Sequence, residues 1–108
     1  VRQALQQYKS SGNPFSGSTH PRSAGNGCLM RIAPVPMFYY PDRDRILHFA
    51  GESSRTTHGA AECIDASRLF CDLLFRALSG ASKTEILAQS DVSVESPSIC
   101  AIAQGDYQ

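Results

Sequence analysis

Apolar residues recur at helical spacing along most of this chain, and no stretch alternates in the way that paired strands do. The first apolar stripe lies in residues 1–9, and Gly12 and Pro14 follow it at positions that stop a helix. Residues 10–27 contain five serines, four glycines and two prolines, a composition that turns repeatedly. We therefore predict a first helix followed by one long loop.

A nearly continuous apolar segment, residues 29–38, comes after this loop. Asn26 can cap a helix at the start of the segment, and we expect that helix to be buried. Pro34 and Pro36 lie inside it, and each removes an amide donor. They predict either a kink near residues 31–34 or two short helices in place of one.

Two more helices complete the predicted core. Asp42 or Asp44 can cap the first of them, which we expect to end within residues 56–59. The second follows an apolar stripe over residues 60–78, and Gly80 supplies its C-terminal stop. The sequence therefore indicates an all-α fold, an orthogonal helical bundle.

The end of the chain is less regular. Residues 82–85 have the form of a capping box and predict one short helix. Beyond residue 89 the apolar pattern decays. We divide the chain into a patterned body, residues 1–90, and a weakly patterned tail of the same domain, residues 91–108.

Charge and hydropathy exclude several classes of partner. Ten basic and ten acidic residues give no net charge, and the basic residues form no cluster of the kind that binds a phosphate backbone. No run of 18 apolar residues occurs, and the first residues lack the basic and apolar regions of a signal peptide. We expect no nucleic-acid partner, no membrane association and a cytoplasmic location.

The cysteines show neither the paired short spacing of a zinc site nor the pattern of a small secreted disulfide framework. We expect reduced, buried thiols, with Cys63 and Cys71 on one helical face as small apolar fillers. No arrangement of histidine and aspartate supports a catalytic thiol. The four cysteines are Cys28, Cys63, Cys71 and Cys100.

The candidate chemistry concentrates where the loop meets the second helix. Two glycines flank Asn26, so the backbone can approach a ligand closely. The amides at a helix start, with their partial positive charge, suit a phosphate or a polyol oxygen. The alternative is an ordinary capped helix after a turn. The candidate binding residues are Ser23, Ala24, Gly25, Asn26 and Gly27.

Two blocks of sequence carry a family resemblance. The first is Gly25-Asn26-Gly27 with Met30-Arg31 and Ala33-Pro34, within SAGNGCLMRIAPVPMFY. The second is Thr57-His58-Gly59, which opens an alanine-rich helix in ESSRTTHGAAECIDASRLF. Together they resemble the middle of an ADP-ribosylglycohydrolase. The similarity runs to about residue 82 and fades after residue 90, so residues 1–90 are interpreted as the central part of that larger helical domain.

The resemblance implies a function for the parent protein. It implies hydrolysis of the bond between ADP-ribose and a protein side chain, most often arginine, with a water activated by a binuclear magnesium centre. Residues 23–27 and His58 are then expected to line the ADP-ribose pocket, and ADP-ribose or an ADP-ribosylated protein is the expected partner of a monomer. The alternative is a noncatalytic helical protein of the same fold that binds ADP-ribose or has a structural role.

The acidic metal-binding motifs of that family do not occur in this sequence. Members place them near the two ends of a longer chain. The one closely spaced acidic pair, Asp42 and Asp44, is followed by Arg45 where the family motif has threonine. We therefore assign no catalytic residue and no metal ligand here, interpret the chain as an internal fragment, and expect it to be inactive when isolated.

Several side chains allow a structural and a functional interpretation. His58 either contacts ribose or phosphate, or caps the preceding helix and packs on the next. Arg31 either binds substrate or pairs with a carboxylate inside the protein, and we favour the pairing. Met30 is expected in the core. Glu62 and Asp65 are expected to face solvent rather than to form a carboxylate pair for hydrolysis.

Overall fold

The predicted all-α class is confirmed by the computed structural model, which describes residues 1–105. No strand occurs in that range, and none of its helices is long and apolar enough to cross a membrane. Residues 106–108 of the predicted tail lie outside the described residues. The helices are α1 (Arg2–Ser11), α2 (Gly27–Met30), α3 (Pro34–Tyr39), α4 (Arg43–Arg55), α5 (Ala61–Leu78), α6 (Lys83–Ile86) and α7 (Pro97–Ala103).

Most helix ends fall where the sequence predicts them. Gly12 and Gly80 adopt the left-handed conformation that ends α1 and follows α5, with φ of 72° and 86°. The Asp42 carboxylate accepts the amide of Arg45 at 3.2 Å and so caps α4. The capping box at Ser82 begins α6 as predicted.

The core forms where α4 and α5 pack on each other and on the α2–α3 segment. Fully buried residues from all three regions meet at its centre, so the helices share one core. These residues are Ile32, Ile46, Ala50 and Cys71, with Val35, Tyr39, Leu74 and Phe75 packed around them.

The prolines divide the second predicted helix into α2 and α3, so the alternative of two short helices is confirmed. Only Cys28, Ile32 and Pro36 are buried among residues 27–39. The expectation of a buried helix, and of Met30 as a core residue, is therefore wrong, since Met30 is 80% exposed. Each short helix packs only about one side chain per turn against α4 and α5, and most of the other apolar side chains in the two helices are exposed to solvent.

The tail, which the apolar pattern left unassigned, is held against α5 by polar groups. Residues 88–96, here called the strap, lead into α7. The carboxylate of Asp65 accepts the amides of Glu95 and Ser96, each at 2.7 Å. The expectation that Asp65 faces solvent is therefore wrong: it is 5% exposed and supplies acceptors at the start of α7.

A second carboxylate of α5, Asp72, fixes the other end of the strap. It is fully buried, and its oxygens accept from Arg43 at 2.8 Å, Arg76 at 3.0 Å and the hydroxyl of Ser90 at 2.8 Å. Asp72 therefore joins α4, α5 and the strap in one buried polar network.

Candidate functional site

The loop that contains the candidate residues is attached to the α4–α5 corner by main-chain hydrogen bonds. The amide of Gly17 donates to the carbonyl of Arg55 at 2.9 Å, and the amide of Gly59 donates to the carbonyl of Ser18 at 3.0 Å. We call this pair of bonds the main-chain interlock. A Cβ atom on Gly17 would lie 2.6 Å from the His58 nitrogen, and one on Gly59 would lie 2.5 Å from the Gly17 oxygen. Only glycine fits at either position.

His58 lies beneath this loop. Its residue is 9% exposed, and its Nδ1 lies 2.8 Å from the hydroxyl oxygen of Thr57. Its ring meets the two glycines of the loop: a Cβ on Gly27 would lie 3.0 Å from Cε1, and one on Gly25 would lie 3.5 Å from Nε2. A side chain at Gly27 would therefore press on the imidazole, whereas one at Gly25 would reach only ordinary van der Waals contact with it.

The main chain of His58 also completes the end of α4. Its amide donates to the carbonyl of Ser54 at 2.6 Å, and the Ser54 hydroxyl donates to its carbonyl at 2.8 Å. The structure thus gives His58 the helix-capping role of the structural interpretation, although its ring packs on the loop. Direct contact with ribose or phosphate stays a prediction.

Burial lowers the pKa of His58 from its usual value of 6.5, and the nearby charge of Arg31 acts in the same direction. The unfolded chain takes up a proton near pH 6.5 that the folded chain does not. We expect the free energy of unfolding to fall by up to about 1.4 kcal/mol per pH unit as the pH drops from that value towards the folded pKa. Urea unfolding on either side of pH 6.5 measures this slope.

The control for this pH dependence is a matched pair of substitutions. His58→Asn is expected to flatten the slope, and His48→Asn, which replaces an exposed histidine on α4, is the matched control. An equally steep slope in His58→Asn and the unaltered chain would contradict the assignment.

The candidate loop forms one wall of an open cleft of about 290 Å³. Ala24, Gly25 and Asn26 lie on this wall, so the structure brings three of the predicted binding residues to one surface. Ser23 precedes them at the end of a 3₁₀ turn, and His58 supports them from behind. The cleft is otherwise lined by side chains of α2, α5 and α7, namely Cys28, Leu29, Glu62, Cys63, Ala66 and Ile99.

Four consecutive amides of the loop lack an acceptor. Within residues 1–105, the amides of residues 25–28 make no hydrogen bond, whereas those of Ser23 and Ala24 donate to loop carbonyls. The predicted side-chain cap at Asn26 is wrong, because its side chain makes no bond to the start of α2. Because α2 is a single turn, its helix dipole is small. An anion at this loop would therefore be bound mainly by hydrogen bonds from the free amides.

Arg31, the residue that follows α2, attaches the end of this helix to α4. It is exposed, and it donates to the Ser53 carbonyl at 2.9 Å and to the Thr56 hydroxyl at 3.2 Å. The expected pairing with a carboxylate is therefore wrong. The carbonyl groups in the last turn of a helix lack partners within the helix. One of these in α4, the carbonyl of Ser53, accepts the hydrogen bond from the guanidinium instead.

Comparison with known proteins decides the family. The sequence model described as ADP-ribosylglycohydrolase matches residues 1–104. The chain belongs to the ADP-ribosylglycohydrolase family. The match extends past the motifs and includes the strap and α7.

Two relatives of the glycohydrolase family carry the name ADP-ribosylarginine hydrolase Tri1. The protein of Pseudomonas putida (strain GB-1) is 32% identical over 108 residues, which is 100% of this chain and 29% of that protein. The protein of Serratia proteamaculans (strain 568) is 30% identical over 83 residues, or 77% of this chain and 23% of that protein. The chain thus spans less than a third of the length of these curated relatives. No solved structure matches it significantly.

The described part of this chain does not fit the magnesium that the family resemblance implies. Residues 1–105 contain no group of three or more histidine, cysteine, aspartate or glutamate side chains that could hold a metal ion. The buried carboxylates of Asp65 and Asp72 bind the strap and the arginines. Both carboxylates are therefore already occupied by contacts within the chain.

Proposed function

We propose that this chain is part of an enzyme that hydrolyses the bond between ADP-ribose and an arginine side chain of a modified protein. The observation that carries the proposal is the family match over residues 1–104. Two relatives named ADP-ribosylarginine hydrolase support arginine as the linked side chain. ADP-ribose, or a protein that carries it, is then the partner of the cleft.

Within that enzyme, the loop of residues 23–27 is proposed to bind ADP-ribose. Four free amides at residues 25–28 offer donors to pyrophosphate or ribose oxygens, and the small residues of the loop leave those oxygens room to approach. His58 is a positioning residue in this proposal, because its buried ring packs against Gly25 and Gly27 of the loop. Its burial favours the neutral ring, which can donate one hydrogen bond and accept another.

The metal chemistry is proposed to come from elsewhere in the longer protein. A binuclear magnesium centre and its carboxylates would then be supplied by segments outside this chain, which would be inactive when isolated. A monomeric state and a cytoplasmic location stay predictions.

A noncatalytic role is the second candidate, because the cleft and the free amides at residues 25–28 could bind ADP-ribose without any metal. A protein of this fold without acidic motifs would bind ADP-ribose without hydrolysing it. Magnesium-dependent release of ADP-ribose from modified arginine by the longer protein would establish the enzyme. Binding of ADP-ribose without release would establish the second candidate.

Removing one loop amide tests the binding role of this chain directly. Asn26→Pro deletes the amide donor, whereas Asn26→Ala deletes only a side chain that makes no capping bond. We expect Asn26→Pro to weaken ADP-ribose binding by at least about tenfold, the effect of losing one hydrogen bond to a charged group. The affinity of Asn26→Ala for ADP-ribose should stay within about twofold of the unaltered chain, because this substitution removes less than the free energy of one neutral hydrogen bond.

Calorimetric titration of ADP-ribose into each folded variant measures these affinities, and circular dichroism checks that the helices persist. Equal affinities in both variants and the unaltered chain would refute the loop as the binding element.

A further inference from the structure

Two thiols meet at the base of the loop. Cys28 on α2 is 1% exposed, and Cys63 on α5 is 4% exposed. Their sulfur atoms share one acceptor, since the thiols donate to the carbonyl of Gly25 with Sγ–O distances of 3.7 and 3.6 Å. With Ala60 they form a single buried cluster. The two sulfur atoms are therefore neighbours across the α2–α5 contact.

The other two cysteines have different surroundings. Cys71 is fully buried in the main core, where burial raises its pKa to about 12, as expected of an apolar filler. Cys100 is half-buried on α7, and its sulfur accepts a hydrogen bond from Gln104. All four thiols are free. The structure thus separates Cys63 from Cys71, although the sequence groups them together.

We propose that Cys28 and Cys63 form a redox-active dithiol, which a peroxide converts to a disulfide across the base of the cleft. Both residues line the cleft, which gives a small oxidant a route to sulfur atoms that are otherwise covered. Burial raises the pKa of the Cys63 thiol, so this thiol stays protonated at neutral pH and its oxidation needs an excess of peroxide.

The reaction balances with one peroxide. One thiolate attacks a peroxide oxygen, a sulfur–oxygen bond forms, the oxygen–oxygen bond breaks, and the leaving hydroxide takes a proton to become water. The second thiolate then attacks the sulfenic sulfur, the disulfide forms, and the sulfur–oxygen bond breaks to release a second hydroxide. This hydroxide also becomes water, and the two protons taken up are those that the two thiols lose when they form thiolates. The two thiols lose two electrons, and the peroxide gains them.

The disulfide changes the loop through Gly25. Oxidation removes both hydrogen-bond donors from its carbonyl and links α2 covalently to α5. The consequence for ligand rests on the proposed function: the loop loses support beside its free amides, and we expect ADP-ribose affinity to fall about fivefold, as for one neutral hydrogen bond. Reduction with dithiothreitol is expected to restore it.

Peptide mapping of the intact 108-residue chain after peroxide treatment tests the dithiol without any substitution. We expect the main product to be a peptide pair joined through Cys28 and Cys63, with the loss of two hydrogens and reversal by dithiothreitol. Cys63→Ser should abolish this product, and the matched control Cys100→Ser should keep it. A product joined through Cys71 or Cys100, or oxidation to sulfinic acid without a disulfide, would overturn the proposal.

ADP-ribose titration of the reduced and oxidised chains then separates the two proposals. Failure of the reduced chain to bind would count against the proposed function alone, because the mapping needs no ligand. Equal affinity in both redox states would overturn the effect of the disulfide on the loop.

Discussion

Asp72→Asn is expected to lower the free energy of unfolding by about 3 kcal/mol. The Asp72 side chain is 1% exposed and faces two guanidinium groups, those of Arg43 and Arg76, which are themselves 33% and 20% exposed. Asparagine has the same shape, but it removes the negative charge and directs a donor towards groups that are already donors. Arg76 then loses its carboxylate partner, and Arg43 keeps only the exposed carboxylate of Asp91. Urea unfolding followed by circular dichroism measures the loss.

The control for Asp72 is another aspartate that binds the same arginine. Asp91 accepts from Arg43 at 2.6 Å, but its side chain is 80% exposed. Asp91→Asn is expected to change stability by no more than about 0.5 kcal/mol, because solvent screens an exposed pair. Equal losses in the two variants would show that burial of Asp72 does not determine its contribution.

Gly59→Ala is expected to lower the free energy of unfolding by about 2 to 3 kcal/mol and to displace the candidate loop. The added methyl group would lie 2.5 Å from the carbonyl oxygen of Gly17, so the main chain has to move. That movement breaks the main-chain interlock. We therefore expect ADP-ribose affinity to fall with stability, and urea unfolding and calorimetric titration measure the two effects.

Gly25→Ala provides the comparison for this substitution. Its methyl group would lie 3.5 Å from the ring of His58, which is ordinary contact, so we expect a stability change within about 0.5 kcal/mol. An intact fold and an attached loop in Gly59→Ala would contradict the steric argument.

The sequence predicts most helix boundaries because these depend on local chemistry. Gly12 and Gly80 adopt positive φ, the carboxylate of Asp42 caps α4, and prolines divide the α2–α3 segment. Exposure is harder to predict because it depends on which face meets another element. Met30 lies on a helix of one turn that presents Cys28 to α5 and leaves the methionine in solvent.

The polar contacts of the tail cannot be predicted from the spacing of apolar residues. A carboxylate on an amphipathic helix is usually solvated. Asp65 is an exception because the strap lies against it, and its carboxylate accepts from two amides that are distant in sequence. Likewise, α7 begins at Pro97 within a segment whose apolar spacing is too irregular to predict a helix.

The sequence motifs predict the candidate site, but they do not predict the contacts that hold its loop in place. The blocks around Asn26 and His58 indicated one site, and the structure places the ring of His58 under the loop glycines. The side-chain cap failed because Asn26 has φ of −93° and ψ of 2°, not the extended conformation of a capping residue. Gly17 carries no motif, and its contact with the α4–α5 corner joins residues about 40 positions apart, beyond the range of local turn rules.

The main-chain interlock has an evolutionary consequence. Its two hydrogen bonds use peptide groups, which every residue type except proline supplies in full. Substitutions at the exposed positions 19–24 can therefore alter the chemistry of the loop surface without shifting its frame, whereas Gly17 and Gly59 tolerate no side chain. Under the proposed binding role, the ligand preference of the loop can drift by single mutations while its main-chain frame is inherited unchanged.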